Sequence, residues 1–76
     1  MSVTILNKKY NIAKTTKLDL SDNFLLEIPN EVFSLINLKL LNLMKNQITI
    51  LPDDIGKLIN LKSLYLCTNL ITKISF

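Results

Sequence analysis

The stretch LKLLNLMKNQITILPDDIGKLIN, residues 38–60, decides the fold because the segments on either side repeat its pattern. TTKLDLSDNFLLEIPNEVFSLIN, residues 15–37, comes before it, and LKSLYLCTNLITKISF, residues 61–76, comes after it. We call these segments rows 1, 2 and 3 in chain order. Apolar residues and one asparagine recur in the same columns of the rows. A fixed period of this length predicts one supersecondary unit that is copied and stacked.

The apolar columns define a frame that faces a core. Its columns are Leu18/Leu41/Leu64, Leu20/Leu43/Leu66, Leu25/Ile48/Ile71, Ile28/Leu51/Ile74, Val32/Ile55, Leu35/Leu58 and Leu38/Leu61. The first two columns lie two residues apart in each row, which predicts a short strand with both side chains on one face. Stacking one such strand per row predicts a parallel ladder.

The asparagine column comprises Asn23, Asn46 and Asn69, each of which follows a predicted strand where the chain turns. An Asn side chain both donates and accepts hydrogen bonds, so it can bond turn backbone within and between rows. A buried polar group without a partner costs about 1–3 kcal/mol. We therefore predict that the three residues form a structural ladder and are not isolated surface turn residues.

After each strand the chain must return along the opposite side. The sequences that begin at Pro29 and Pro52 read as helix starts, with Asn30 or Asp53 as the N-cap residue. Gly56 weakens the second helix, so a single turn or a 3₁₀ segment is as compatible with the pattern as an α-helix.

The frame resembles the leucine-rich repeat, LxxLxLxxNxLxxLPxxIxxLxxL, and row 2 matches every frame position. The segment LPDDIGKLINLKSLYLCTN, residues 51–69, is similar to the intracellular Ras-suppressor type with 23-residue repeats. The resemblance implies an α/β solenoid. Short parallel strands would lie on its concave face, and short helical or 3₁₀ turns on its convex face.

The resemblance also implies a protein–protein interaction module, a scaffold or adaptor in intracellular signalling that binds through the concave sheet. Positions between the frame leucines then point out from that sheet and are free to specify a partner. They are Lys17, Asp19, Ser21 and Asp22, then Leu40, Asn42, Met44 and Lys45, then Ser63, Tyr65, Cys67 and Thr68. Tyr and Met are favoured at interfaces, which singles out Tyr65 and Met44. Leu40 either joins them or merely packs on its neighbours.

The two ends of the chain depart from the frame. Residues 1–14 continue the register backwards, with Ile5 in the column of Ile28, and predict an N-terminal cap built as the return half of a degenerate repeat. Row 3 is incomplete and lacks a polar closing helix. We expect an open apolar edge there, lined by Leu64, Leu66, Ile71, Ile74 and Phe76. Such an edge favours self-association, a fragment of a longer array or a truncated product without independent function.

The composition narrows the function. The 76 residues suffice for one domain and include no His and single Cys and Gly residues, Cys67 and Gly56. We find no nucleophile–base pair, phosphate loop or metal-ligand cluster, and we predict a non-enzyme without cofactor or metal. The pair Asp53-Asp54 is interpreted as helix-start residues. A regulatory fragment of a larger signalling enzyme is the alternative.

The net charge of +3 is concentrated near the start of the chain, where four lysines precede the first acid, Asp19. The chain has no Arg, which disfavours nucleic acid as a partner, although a binding role for this basic cap stays open. There is no stretch long enough to span a membrane and no signal peptide. Together with the single cysteine, this predicts a cytoplasmic protein.

Overall fold

The computed structural model describes residues 1–74; the predictions for Phe76 and for the Ile74 side chain lie outside the described part. The elements are strands and 3₁₀ helices. In chain order they are β1 (Ser2–Ile5), β2 (Lys8–Asn11), β3 (Lys17–Asp19), η1 (Asn30–Ser34), β4 (Leu40–Asn42), β5 (Ile50–Leu51), η2 (Asp53–Lys57), β6 (Ser63–Tyr65) and β7 (Lys73–Ile74). Both helices, η1 and η2, are 3₁₀ helices. These short strands and 3₁₀ helices position the surface residues of the candidate functional site.

One strand from each row joins a parallel three-stranded sheet in the order β3-β4-β6. The register sets Leu18 beside Leu41 and Leu41 beside Leu64, so equal columns are neighbours in space. Backbone bonds keep the rows in step beyond the strands. The Leu20 N–H donates to the Asn42 carbonyl at 2.8 Å, and the rows remain in contact as they turn.

The frame residues of rows 1 and 2 form the core. Buried members are Leu18, Leu20, Ile28, Val32, Leu35, Leu38, Leu41, Leu43, Ile48, Leu51 and Leu58, joined by Ile5 and Phe33. In row 3, Leu61, Leu64, Leu66 and Ile71 are only partly buried. The described residues contain no further row to cover them. Burial therefore falls from the middle of the molecule towards row 3.

The return segments correct the predicted N-caps. Pro29 and Pro52 are the cap residues, Asn30 and Asp53 are the first helical residues, and no side chain caps either helix. The proline carbonyls accept the first helical bonds instead, from the Val32 N–H at 3.0 Å and from the Ile55 N–H at 3.2 Å. The tighter 3₁₀ bond closes over three residues, so a proline in extended conformation opens the turn without help from a side chain.

Gly56 lies exposed in η2, and a methyl group added to its Cα would meet no heavy atom within 4 Å. Its φ is not positive, so an L-residue fits its backbone. We expect Gly56→Ala to stabilise the protein by about 0.4–1 kcal/mol, because alanine restricts the unfolded chain. Thermal unfolding of the variant and the parent measures this difference. A lower melting temperature for Gly56→Ala would contradict the expectation.

The N-terminal segment differs from the predicted return half of a repeat. Strands β1 and β2 form an antiparallel hairpin in which Ile5 pairs with Lys8. The two-residue turn consists of Leu6 and Asn7, both with positive φ (50° and 67°), as hairpin turns of the right-handed twist require. Alternate residues of the hairpin face the core, where Ile5 is buried and Val3 packs against the cluster. Period-two alternation therefore outweighed the 23-residue register in this segment.

Among the described residues, no helix has the length and apolar character that crossing a membrane requires.

Candidate functional site

The predicted outward positions lie along the three-stranded sheet in two transverse lines. Strand register sets Lys17, Leu40 and Ser63 side by side. A second line contains the next outward residue of each strand, Asp19, Asn42 and Tyr65. Because the leucines between the two lines face the core, these side chains lie on the other side of the sheet. We call this surface the sheet face.

Exposure varies along the sheet face. In row 1, Lys17 and Asp19 are exposed, whereas Leu40 and Asn42 in row 2 are half-buried. Tyr65 in row 3 keeps 44% of its surface exposed, the largest apolar area that the strands present there. The face therefore changes from charged at row 1 to amphipathic at row 3. A ligand crossing it would meet ionic groups first and an aromatic ring last.

A third line of outward residues, Ser21, Met44 and Cys67, continues past the ends of the strands. The Asp22 N–H donates to the Met44 carbonyl and the Lys45 N–H to the Cys67 carbonyl, both at 3.0 Å. Met44 is half-buried, while Cys67 is exposed and is a free thiol. The next position in each row, Asp22, Lys45 and Thr68, has φ of 58°, 58° and 59°. These three exposed residues share a left-handed turn, and Asp22 is the one whose residue type favours that conformation.

Two of the predicted contact residues also serve the fold. An oxygen of the Asp19 carboxylate accepts from the Ser21 N–H at 2.9 Å, and the Asn42 Oδ1 accepts from the Met44 N–H at 3.0 Å. The hydrogen bonds from the Ser21 side chain and backbone lower the pKa of Asp19 below its usual value. Tyr65 occupies this column in row 3 and has no carboxylate or amide oxygen to accept a bond from the backbone two residues on. Asp19 and Asn42 therefore hold the turn, whereas Tyr65 is free of that task.

The asparagine column anchors the sheet at its carboxyl end. The Asn46 Oδ1 accepts from the backbone N–H groups of Asn23 and Leu25, both at 3.0 Å. Its Nδ2 donates to the carbonyls of Leu20 and Leu43, again at 3.0 Å, and the residue is only 6% exposed. Three of these four bonds join row 2 to row 1, and the bond to the Leu43 carbonyl lies within row 2.

Asn69 makes a similar set of bonds, of which two reach row 2 and one, to the Leu66 carbonyl, lies within row 3. Its Oδ1 accepts from the Ile48 N–H at 3.1 Å, and its Nδ2 donates to the carbonyls of Leu43 and Leu66. Asn23 differs because its side chain is exposed and donates only to the Ser21 carbonyl, at 3.0 Å. The hairpin before row 1 offers it no equivalent turn to bond.

A second asparagine pair, just before strands β4 and β6, bonds row 1 to the N-terminal segment and row 2 to row 1. The Asn37 Nδ2 donates to the Ala13 carbonyl at 2.9 Å, and the Asn60 Nδ2 donates to the Ile36 carbonyl at 3.2 Å. The sequence interpretation assigned no role to this pair. The repeated INL of residues 36–38 and 59–61 was the signal that could have revealed it.

The geometry supplies hydrogen-bonding groups, separated charges and partly covered apolar side chains. Within residues 1–74, no group of three or more His, Cys, Asp or Glu side chains is placed to hold a metal ion. The sheet face is thus chemically suited to contacting another surface.

A comparison with protein families gives a match to the leucine rich repeat over residues 13–71. No curated protein and no solved structure matches the chain. The matched residues include all three strands of the parallel sheet and both 3₁₀ helices. The chain therefore belongs to the leucine-rich repeat family, whose domains are typically non-enzymatic and generally mediate protein–protein interaction.

Proposed function

We propose that this protein binds a partner protein through the sheet face, as the concave surface of a short solenoid. The observation that carries the proposal is the placement of Tyr65. It is exposed at the end of a line of outward residues, beside the half-buried Asn42 and close in register to Met44. The core frame and the asparagines use most other positions of each row. Tyr65 and Met44 are therefore the residues best able to supply binding energy.

The size of the sheet face sets the expected affinity. The described molecule exposes 5089 Å², and a standard interface buries about 800 Å² on each partner. Three strands of three residues provide less than that area. We expect weak binding by this chain alone, with Tyr65 as the anchor and the charged side chains of row 1 steering the approach.

The finer assignment rests on sequence similarity in rows 2 and 3. We propose a Ras-suppressor-like array with repeats at 15–37, 38–60 and 61–76, preceded by a capping segment at 1–14. The parallel register, which pairs residues 23 positions apart, supports this division. The hairpin, in which Lys8 and Lys9 are both exposed, supports the capping role. By the same similarity we propose a scaffold or adaptor in cytoplasmic signalling.

The edge of row 3 supports a second candidate. Leu64, Leu66 and Ile71 are half-buried, whereas their counterparts in row 2 are buried. Within the described residues, β6 pairs on one side only. Such an edge accepts another strand, so we propose self-association or the stacking of additional rows here. A regulatory part of a larger signalling enzyme would use the same edge and sheet face.

The experiment begins by finding what touches Tyr65. A photo-crosslinking amino acid is placed at position 65 and, as a matched control, at the exposed Ile59, which lies outside the sheet face. Proteins captured only from position 65 are identified and purified. We expect Met44→Ala/Tyr65→Ala to weaken binding of such a partner more than about 10-fold, because truncating an aromatic anchor removes its packing. Titration calorimetry measures the two affinities.

An Ile59→Ala variant serves as the binding control and should retain the parental affinity. The double variant must also keep the parental melting temperature within a few degrees, so that lost binding does not reflect unfolding. Unchanged affinity of Met44→Ala/Tyr65→Ala would show that the sheet face is not the binding surface.

A further inference from the structure

A groove opens on the flank of the molecule between rows 1 and 2, away from the sheet face. Rows 2 and 3 are bonded on this flank, where β5 pairs with β7 and the Thr72 N–H donates to the Thr49 carbonyl at 3.0 Å. Rows 1 and 2 share the Gln47 N–H to Leu25 carbonyl bond at 2.8 Å. On this flank, past Leu25 and Gln47, no backbone bond joins rows 1 and 2 among the described residues. The result is a groove of about 220 Å³.

The lining of the groove combines apolar and acidic groups. Ile28 and Phe33 are buried residues at its base, while Leu26 (69% exposed) and Ile50 (49% exposed) belong to opposite rows. Glu27 and Asp54 add two carboxylates, and no lysine lines the groove. Asp54 lies 3.8 Å from the Lys57 ammonium, but both side chains are well exposed and remain accessible. At this volume the groove fits a single large side chain better than a drug-sized ligand.

The chain itself presents a segment of complementary chemistry in the turn of the N-terminal hairpin. Leu6 is 47% exposed and has a φ of 50°, a region that bulky residues seldom occupy. Asn, Asp and Gly are the residues that such a turn prefers. Lys8 and Lys9 follow and are exposed. The hairpin turn requires a positive φ at this position, but it does not explain why an exposed, bulky apolar residue stands there, and strain of this kind motivates a functional hypothesis.

We propose that the hairpin turn of one copy docks into the flank groove of a second copy. Leu6 enters the apolar part, and the adjacent lysine ammonium groups approach Glu27 and Asp54. Lys8 already lies 5.5 Å from the centroid of the Tyr10 ring, which leaves Lys9 as the freer cation. Turn and groove are different surfaces, so the contact either closes reciprocally into a pair or extends into chains. The small contact makes the association weak and sensitive to salt.

The test uses the full chain in sedimentation velocity and NMR diffusion, from micromolar to millimolar concentration, at low and high salt. We expect the parent to associate at high concentration and to dissociate as salt is raised. Leu6→Asn should associate less than the parent while unfolding at the same or a higher temperature, because asparagine suits the left-handed turn. This variant separates lost docking from lost folding.

Charge reversal gives the sharper test. Glu27→Lys/Asp54→Lys and Lys8→Glu/Lys9→Glu should each associate less than the parent. We then mix Lys8→Glu/Lys9→Glu with a Glu27→Lys/Asp54→Lys variant that also carries Leu6→Asn. In this mixture the acidic hairpin of the first variant meets the basic groove of the second. This mixture should restore association. Leu70→Asn, which alters an exposed leucine outside the groove, should associate as the parent does.

A parent that is monomeric at millimolar concentration would overturn the proposal. So would a folded Leu6→Asn variant that associates as strongly as the parent, since association would then use the row 3 edge or another surface. None of these variants alters Met44 or Tyr65. Their outcome is therefore independent of whether the sheet face binds a partner protein.

Discussion

Replacing Asn46 by leucine is expected to lower the free energy of unfolding by about 2–6 kcal/mol. The substitution removes the acceptor of two backbone N–H groups, those of Asn23 and Leu25, and the donor to the Leu20 and Leu43 carbonyls. Each buried N–H left without a partner costs about 1–3 kcal/mol. A 76-residue protein has only about 4–11 kcal/mol of total stability, so we expect a measurable unfolded fraction of the variant at 25 °C. Urea denaturation followed by circular dichroism measures the loss.

Asn23→Leu is the matched control because the chemical change is the same. The Asn23 side chain is exposed and makes one hydrogen bond, to the Ser21 carbonyl. We expect it to cost less than about 1 kcal/mol, the typical net contribution of a single hydrogen bond. Equal losses at the two positions would mean that the bonds between rows do not stabilise the fold.

Leu41→Ala is expected to cost about 2–5 kcal/mol, the second large effect. Leu41 has no exposed surface and lies in β4, between β3 and β6, so truncation leaves a cavity with packed neighbours on both sides. Leu64→Ala removes the same atoms from the same column of row 3. Leu64 is half-buried, so its neighbours can close over the gap and water can reach it.

The comparison of Leu41 with Leu64 is made in one set of chemical unfolding curves, with the slopes checked for equality. A smaller loss for Leu64→Ala is the expected order. The reverse order would show that row 3 is covered in solution, for example by a second copy at its edge. Unfolding curves recorded at several protein concentrations would then show a stability that rises with concentration.

The 23-residue period was sufficient to place the parallel strands, because stacking equal units leaves one register that sets every leucine column on the same face. The leucine-rich repeat family is confirmed by the match over residues 13–71. The bonds of Asn46 and Asn69 also follow from local chemistry, since a buried turn needs both a donor and an acceptor at that reach. These features depend on repetition, which sequence shows directly.

Other features depend on what a segment meets in space. The hairpin formed because the alternation around Leu6 and Asn7 suits two paired strands, although its residues also fit the register of the rows. The Asn30 and Asp53 caps were wrong because each helix begins one residue earlier, with the preceding proline as the cap residue. On the sheet face, the periodicity placed Asp19 among the outward positions. It did not indicate that the Ser21 N–H would occupy the Asp19 carboxylate.

The direction of the asparagine bonds has a consequence for how the protein is made. Asn46 satisfies the turn of row 1, and Asn69 satisfies that of row 2, so each turn awaits a side chain synthesised 21–26 residues later. Asn37 and Asn60 likewise reach back to carbonyls 24 residues earlier. At about 5–20 residues per second, a nascent turn waits roughly 1–5 s for its partner to leave the ribosome. Folding on the ribosome therefore lags translation by one row, and a translational pause just before Asn46 prolongs the exposure of an incomplete sheet.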